Sequence, residues 1–238
     1  MPGKHSKRFQ TAVAEIDADR KYEPADAIEM VKKTASTKFN ESIEIHLRTS
    51  ADPRHADQQL RGVATLPAGL GKTVRVAVFA AGEGARLASQ AGAEEVGSDD
   101  LIARVEGGFM DFDVAIATPD MMGKIGKLGR ILGRKGLMPN PRTNTVVQES
   151  DIGGAVEEAK KGRVELRMDR TAIIHSLIGK ASFDSSQLMD NLTAIIDVVN
   201  ELRPAAIKGQ FVKTAYLTST MGPSVPLDLA STLTLTGE

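Results

Sequence analysis

The stretch "TVRVAVFAAGEGARLASQAG", residues 73–92, decides how the middle of the chain folds. "TVRVAVF", Thr73 to Phe79, reads as a strand, and a helix follows over "EGARLASQAG". "FDVAIAT", Phe112 to Thr118, is a second, mostly apolar strand, with another helix from about Met121. Strand and helix alternate as βα units do, which predicts a small sheet, at least partly parallel, with helices on its faces. A last helix over "SDIGGAVEEAKKG", capped by Ser150 or Asp151, closes the block near Gly162.

Outward from this block the pattern changes. After a basic tail, "YEPADAIEMVKKTAS" places Pro24 near a helix start and Ile28, Val31 and Ala35 at three-and-four spacing. Ile43, Ile45 and Leu47 then alternate with Glu44, His46 and Arg48, the period of a strand with one buried and one wet face. "SADPRHADQ" turns the chain. Beyond Gly162, Val164, Leu166 and Met168 alternate with Arg163, Glu165 and Arg167, and the apolar "AIIHSLIG" follows. A long helix has Asp184 as cap, Gln187 three residues on, and Leu188, Leu192, Ile195, Val199 and Leu202 on one stripe. Pro204 ends it, and "KGQFVKTAYLTSTMGPSVPL" is a final strand running into a Gly-Pro turn. Each flank thus offers a half-wet, antiparallel-type sheet and helices for one of its faces. The expected fold is α/β with two domains: residues 1–71 with 163–238 form a discontinuous sandwich, and residues 72–162 are inserted into it.

The 238 residues carry a formal net charge of −1 and no cysteine. Neither disulfides nor thiolate chemistry are available. "MPGKHSKRFQ" has no apolar signal core, and no run approaches the roughly 18 apolar residues of a membrane span, so the chain reads as soluble, unprocessed and cytoplasmic. The small net charge conceals a split. Residues 80–113 hold eight acids against Arg86 and Arg104, whereas residues 121–148 hold six cations and no acid.

The motifs that suggest catalysis fail one by one. "GLGKT", Gly69 to Thr73, lacks the first glycine of a phosphate loop, its place being Leu66, and Lys72 leads into a strand. In "GEGARL" only Gly82 and Gly84 fit a dinucleotide loop, since the third glycine is Leu87. His5, His46, His55 and His175 show no ligand spacing. Asp99 with Asp100, and Asp111 with Asp113, read as caps and loop carboxylates. No metal and no cofactor is expected.

"KIGKLGRILGRKGLMPNPRTNT", residues 124–145, is the segment with a chemistry of its own. Leu128, Ile131 and Leu132 would face a core while Lys127, Arg130 and Arg134 fall on or near the outer side, and Gly136, Pro139 and Pro141 end the helix in a rigid loop; Lys124, Lys135 and Arg142 are the segment's other cations. It is either a solvated face or one that meets phosphates, because glycine lets backbone N–H groups approach closely and cations displace counterions. The flanks carry another kind of surface. "TKFNESIE", residues 37–44, and "TSTMGP", residues 218–223, combine hydroxyls, an acid, Phe39 and Met221. Phe39 and Met221 read either as lids on the core or as part of a weakly charged surface suited to the shallow minor groove of RNA.

"DPRHADQQLRGVATLPAGLGKTVRVAVFA", "ATPDMMGKIGKLGRILGRKGLMPNPRTNTV", "GKASF" and "TSTMGPS" resemble, in order and over essentially the whole chain, the bacterial large-subunit ribosomal protein L-one family. The resemblance implies a discontinuous α/β domain with a three-layer α/β domain inserted, and a protein that is a monomer when free. It implies direct binding to the 23S rRNA stalk of the large ribosomal subunit, a part in release of deacylated exit-site tRNA, and repression of its own operon mRNA. It maps the main rRNA site onto Lys38, Phe39, Ser42, Glu44, Asp169, Arg170, Thr220, Met221 and Gly222, and makes the basic segment a secondary nucleic-acid contact. At Gly222 the expectation is that a Cβ would push a ribose away. Arg134 and Asn144 stand where the family commonly has proline and glycine, a departure that bears on the rigidity of the basic loop. Two other classes remain open to the residues themselves: an enzyme using residues 124–142 as an anion site, and a purely protein-binding module. Co-purifying RNA that salt strips away separates both from the ribosomal reading.

Overall fold

The structure is a computed structural model that describes residues 6–205 and 207–235; His5 lies outside them. The chain divides into two compact units, Met1–Gly71 with Val164–Glu238, and Lys72–Arg163.

In the first unit the basic tail is helical from Lys7: α1 (Lys7–Ala14) begins at Ser6, whose hydroxyl accepts the Phe9 N–H. Helix α2 (Pro24–Thr34) has its proline in the first turn, where no intrahelical donor is lost, and buries Ala27, Ile28 and Val31. Strand β1 (Ser42–Thr49) keeps the period-two pattern, with Ile43, Ile45 and Leu47 buried. A short strand absent from the expectations, β2 (Arg61–Thr65), follows.

In the middle unit, β3 (Val76–Phe79), α3 (Gly82–Gln90), β4 (Glu95–Gly97), α4 (Asp99–Glu106), β5 (Val114–Ala117), α5 (Pro119–Ile125), α6 (Gly129–Arg134) and α7 (Ile152–Gly162) succeed one another. The sheet has the order β4-β3-β5 and both pairs are parallel, so it is wholly rather than partly parallel. Ala77, Phe79, Ala115 and Ala117 pack with Leu101, Val105, Met121, Ile125, Leu128 and Leu132 in one core cluster, while α3 and α7 pack against each other and on β3. Gly84 is where those two helices meet: a Cβ there would stand 2.9 Å from Ile152 Cδ1, so this glycine serves packing. Asp99 and Asp100 open α4 instead of sitting in a loop, and Asp100 accepts the Ser98 N–H at 2.8 Å. Asp113 accepts Arg75 N–H at 3.1 Å and pairs with Lys72, joining the starts of β5 and β3. The helix expected from Met121 starts at Pro119. At α7 the expected cap is not made, because a 3-10 turn, Glu149–Asp151, already leads the backbone into the helix and Asp151 makes no side-chain capping bond.

The chain returns to the first unit through β6 (Arg163–Arg167), which pairs with β2, then β7 (Ile173–Lys180), α8 (Ser185–Glu201), β8 (Val212–Ser219), β9 (Ser224–Pro226) and α9 (Leu229–Leu233). The main sheet has the order β7-β1-β8-β9 and is antiparallel throughout. Helices α2 and α8 pack together and share the sheet's buried-side core, with Ile28, Leu188, Leu192 and Ile195 against Ile45, Leu47, Ile174 and Leu217. Asp184 and Gln187 form the expected capping box of α8. Asn191, buried on that helix, accepts Ala68 N–H and donates to the carbonyls of Gly69 and Ile178, which fixes the loop just before the chain leaves this unit.

Candidate nucleic-acid interface

With one face of the antiparallel sheet covered by helices, the other carries Ser42, Glu44, His46 and Arg48 from β1. Around its Ser42 end two distant segments are tied together. Ser42 N–H donates to Thr220 Oγ1 at 2.9 Å, and Thr220 N–H donates to the Ser42 carbonyl at 3.0 Å. Asn40 and Ser182 bond reciprocally, Ala181 N–H donates to the Glu41 carbonyl, and Lys180 Nζ donates to Ser42 Oγ at 2.9 Å, which gives "GKASF" a structural task.

At the centre lies a residue that sequence reading missed. Glu41 is 1% exposed, and its two carboxylate oxygens accept Thr37 N–H at 3.1 Å and Met221 N–H at 2.9 Å. Burial pushes this carboxyl up, but the bonds from Met221 and Thr37 outweigh it and hold the group below its usual range. One charge thereby positions both the "TKFN" loop and the "TMG" turn. Arg8 of α1 reaches the same turn, donating to the Met221 carbonyl at 3.1 Å and to Ser36 Oγ at 3.3 Å. Phe39 and Met221 are not lids on the core: they are 54% and 50% exposed. Lys38 and Thr220 are exposed beside them.

Gly222 has, besides the expected reason, one inside the fold. Its φ is ordinary, and a Cβ there would meet Ser219 Oγ well inside contact distance. A side chain here would have to displace the Ser219 hydroxyl, so the turn itself disfavours one, before any ribose is considered.

Asp169 and Arg170 lie at the other end of the sheet. The register pairs Ser42 with Lys180 and Arg48 with Ile173, so the turn ahead of Ile173 is separated from Glu44 by roughly 13 Å of β1. Asp169 is occupied by its own turn: Oδ1 accepts Thr171 and Ile173 N–H at 2.8 Å each, and Oδ2 accepts the Thr171 hydroxyl at 2.6 Å. Burial raises the Asp169 carboxyl, yet these bonds dominate and lower it. Arg170 is exposed. The nine mapped residues therefore form two groups on one unit, not a single cluster.

The middle unit carries the basic face. Leu128 and Leu132 are buried and Ile131 partly so, while the six cations are exposed. Lys124 pairs with Asp99 at 2.8 Å, and among the described residues Lys127, Arg130, Arg134, Lys135 and Arg142 make no ion pair. A Cβ at Gly123, Gly126, Gly129 or Gly133 would meet nothing within 4 Å, so the backbone is open along this face. The following loop is well braced despite the two departures: Asn140 Oδ1 accepts Arg142 N–H, Thr145 Oγ1 donates to the Asn140 carbonyl at 3.0 Å, and Asn144 takes the left-handed conformation at φ 48°. Arg163 Nη2 closes it with a 2.5 Å bond to the Thr143 carbonyl.

Among the described residues no group of histidine and carboxylate side chains could hold a metal ion, and no helix is long and apolar enough to cross a membrane. His46 and His175, unrelated by spacing, are brought together by the register, with their Nδ1 atoms 2.8 Å apart.

Comparison with known proteins agrees over almost the whole chain. The "Large ribosomal subunit protein uL1" of Dehalococcoides mccartyi (strain ATCC BAA-2100 / JCM 16839 / KCTC 5957 / BAV1) is 52% identical over 98% of both chains. That of Chloroflexus aggregans (strain MD-66 / DSM 9485) is 54% identical over 97% of this chain and 98% of its own. That of Thermomicrobium roseum (strain ATCC 27502 / DSM 5159 / P-2) is 53% identical over 98% and 97%. The profile of the Ribosomal protein L1p/L10e family matches residues 31–223, from within α2 to the "TMGP" turn. The chain belongs to that family, one of ribosomal proteins and not of enzymes.

Proposed function

We propose that this chain is a structural protein of the large ribosomal subunit, working in the cytoplasm, which binds the 23S rRNA stalk through residues 1–71 and 163–238. In this reading it also takes part in release of deacylated tRNA from the exit site and represses translation of its own operon mRNA. The inserted block, residues 72–162, adds secondary contacts through Lys127, Arg130, Arg134, Lys135 and Arg142.

The observation that supports the reading best is the paired loop surface. Glu41 holds the Thr37 and Met221 amides, and Phe39 and Met221 stay half exposed on a preformed frame with hydroxyls on either side. An exposed aromatic ring and a thioether on a rigid polar frame suit stacking against RNA bases and packing on ribose. The relatives' shared name, with "large ribosomal subunit" in it, points the same way.

The test is a double truncation, Phe39→Ala with Met221→Ala. Both side chains are exposed, so folding is expected to be unchanged by circular dichroism. Affinity for a 23S rRNA stalk fragment is expected to fall by about 2–4 kcal/mol, from base–aromatic stacking and lost apolar contact. Unaltered affinity in the folded variant would overturn the assignment of the site.

A further inference from the structure

Between the two groups of mapped residues lies a chain of polar contacts that joins Asp169 to three side chains outside the mapping. Asp169 Oδ2 stands 3.6 Å from His175 Nε2. His175 Nδ1 lies 2.8 Å from His46 Nδ1, and His46 Nε2 lies 2.9 Å from Thr218 Oγ1. Thr218 is the cross-strand partner of Glu44, and Thr220 is two residues further along the same edge of the turn. The strip thus runs across the open sheet face from the Asp169 corner to the Ser42–Glu44 group. We propose that His46, His175 and Thr218 are part of the RNA-contacting surface, and that they take up one proton when the RNA backbone binds there. This rests on the rRNA-binding reading above.

The Nδ1–Nδ1 contact constrains the hydrogens. Two imidazole nitrogens at that distance share one hydrogen, and with both rings neutral one arrangement also turns an N–H, not a lone pair, toward the Asp169 carboxylate. His175 keeps its Nε2–H toward the Asp169 carboxylate. His46 then supplies the Nδ1–H to His175 Nδ1, its own Nε2 is bare, and Thr218 must donate its hydroxyl hydrogen to that nitrogen. In this state Thr218 offers solvent only lone pairs. A proton taken from water lands on His46 Nε2. Thr218 becomes the acceptor of that N–H, its hydroxyl hydrogen turns outward, and the shared proton can shift toward His175, placing the positive charge beside Asp169. The strip then presents a donor and a positive charge, which fits the oxygens of a ribose–phosphate backbone.

The charged and titratable groups around the pair are few: Glu44 and Arg48 on His46's own strand, Tyr216 opposite His46 on β8, and Asp169 beside His175. Burial holds His46 below the usual histidine range, the neighbouring His175 adds to this, and Glu44 opposes it. The free protein therefore has this ring mostly neutral at neutral pH, and a bound phosphate raises it. By linkage, binding strengthens as pH falls.

The experiment measures affinity of the full chain for a 23S rRNA stalk fragment at pH 8 and pH 6 at fixed ionic strength, for the native protein, His46→Gln and His175→Gln. The expected result is roughly five- to tenfold tighter binding at pH 6 for the native chain, since one proton of linkage allows at most tenfold per pH unit, and no such change in either variant. Nitrogen-15 imidazole spectra of the native chain, free and RNA-bound, provide a reading that does not depend on the variants folding: one additional N–H on the pair is expected in the complex. Tight binding that is independent of pH, or a pH response that survives in both folded variants, would overturn the inference while leaving the rRNA reading intact. Absence of specific binding at either pH would overturn both.

Discussion

The two RNA-facing surfaces proposed here are built in opposite ways. In the middle unit, six cations fall within nineteen consecutive residues, 124–142, and the face follows from local helix geometry. In the flanking unit, the Thr37–Ser42 and Thr220–Met221 segments meet across the chain, Glu41 and Met221 being 180 residues apart, with a buried carboxylate at the centre of the bonds that hold them. The first is a locally formed face of charge, expected to meet any phosphate backbone. The second is arrangement with little charge, with only Lys38 and Arg170 as mapped cations. Specificity is expected from the second and salt-sensitive adhesion from the first.

The sharpest way to break this contrast is Glu41→Ala. It leaves the amides of Thr37 and Met221 without their acceptor at a buried position, at about 1–3 kcal/mol each. Affinity for the stalk fragment is expected to fall by roughly a hundredfold, while binding to unrelated duplex RNA is unchanged; equal losses on both RNAs would erase the distinction. The same carboxyl predicts a pH effect on stability. Its folded pKa is depressed, so its contribution is fully present above the unfolded value of about 4.3 and is lost as pH falls through the lower folded value. Acid unfolding of Glu41→Gln, followed by circular dichroism, is expected to lack that part of the transition.

Deleting the middle unit tests the contrast from the other side. Strands β2 and β6, which flank the insertion, are hydrogen-bonded neighbours in the first unit, so the chain leaves and re-enters through adjacent strands. Arg163 bonds to the middle unit's loop, which places the cut after it: a short Gly-Ser linker from Gly71 to Val164. The folded deletion is expected to retain its preference for the stalk fragment and to lose about tenfold in binding to unrelated duplex. A smaller effect concerns salt. The intact chain on the stalk fragment is expected to show a logarithmic salt slope of about 2–4, as few mapped cations meet phosphate; a slope near 8 would move the main site to the basic face. The smallest expected effect is Asn144→Gly. Because asparagine already tolerates the left-handed conformation, stability should change by less than about 0.5 kcal/mol, whereas Asn144→Val should cost more than about 1 kcal/mol in thermal unfolding.

What sequence made legible here is what is local. Helices α2 and α8, strands β1 and β7, and the βα alternation are periodic over their own lengths, and each formed within a few residues of its reading. Strand β4 was missed because three residues, Glu95–Gly97, carry no period, and α4 because its acidic start read as a loop. Glu41 was missed for a different reason. A glutamate in "KFNES" resembles a solvated residue, and its partners from distant segments, Met221 among them, are not visible in the sequence. The histidine pair likewise depends on strand register, which spacing between residues 46 and 175 does not reveal. Phe39, Met221 and Thr220 were legible through motif resemblance, but the physical reason for Gly222 was not, since Ser219 lies beneath it only once the turn is formed.

The strand order also carries a consequence for synthesis. Strand β1 is central in its sheet, yet both of its neighbours, β7 and β8, come more than a hundred residues later in the chain. At about 5–20 residues per second, β1 waits on the order of ten to thirty seconds on the ribosome with no edge to pair, while the middle unit's parallel sheet, all of whose strands emerge together, is free to form first. Thr220 follows Ser42 by 178 residues, so the frame that joins the two loops is assembled only after β8 has been made, late relative to the middle unit's sheet.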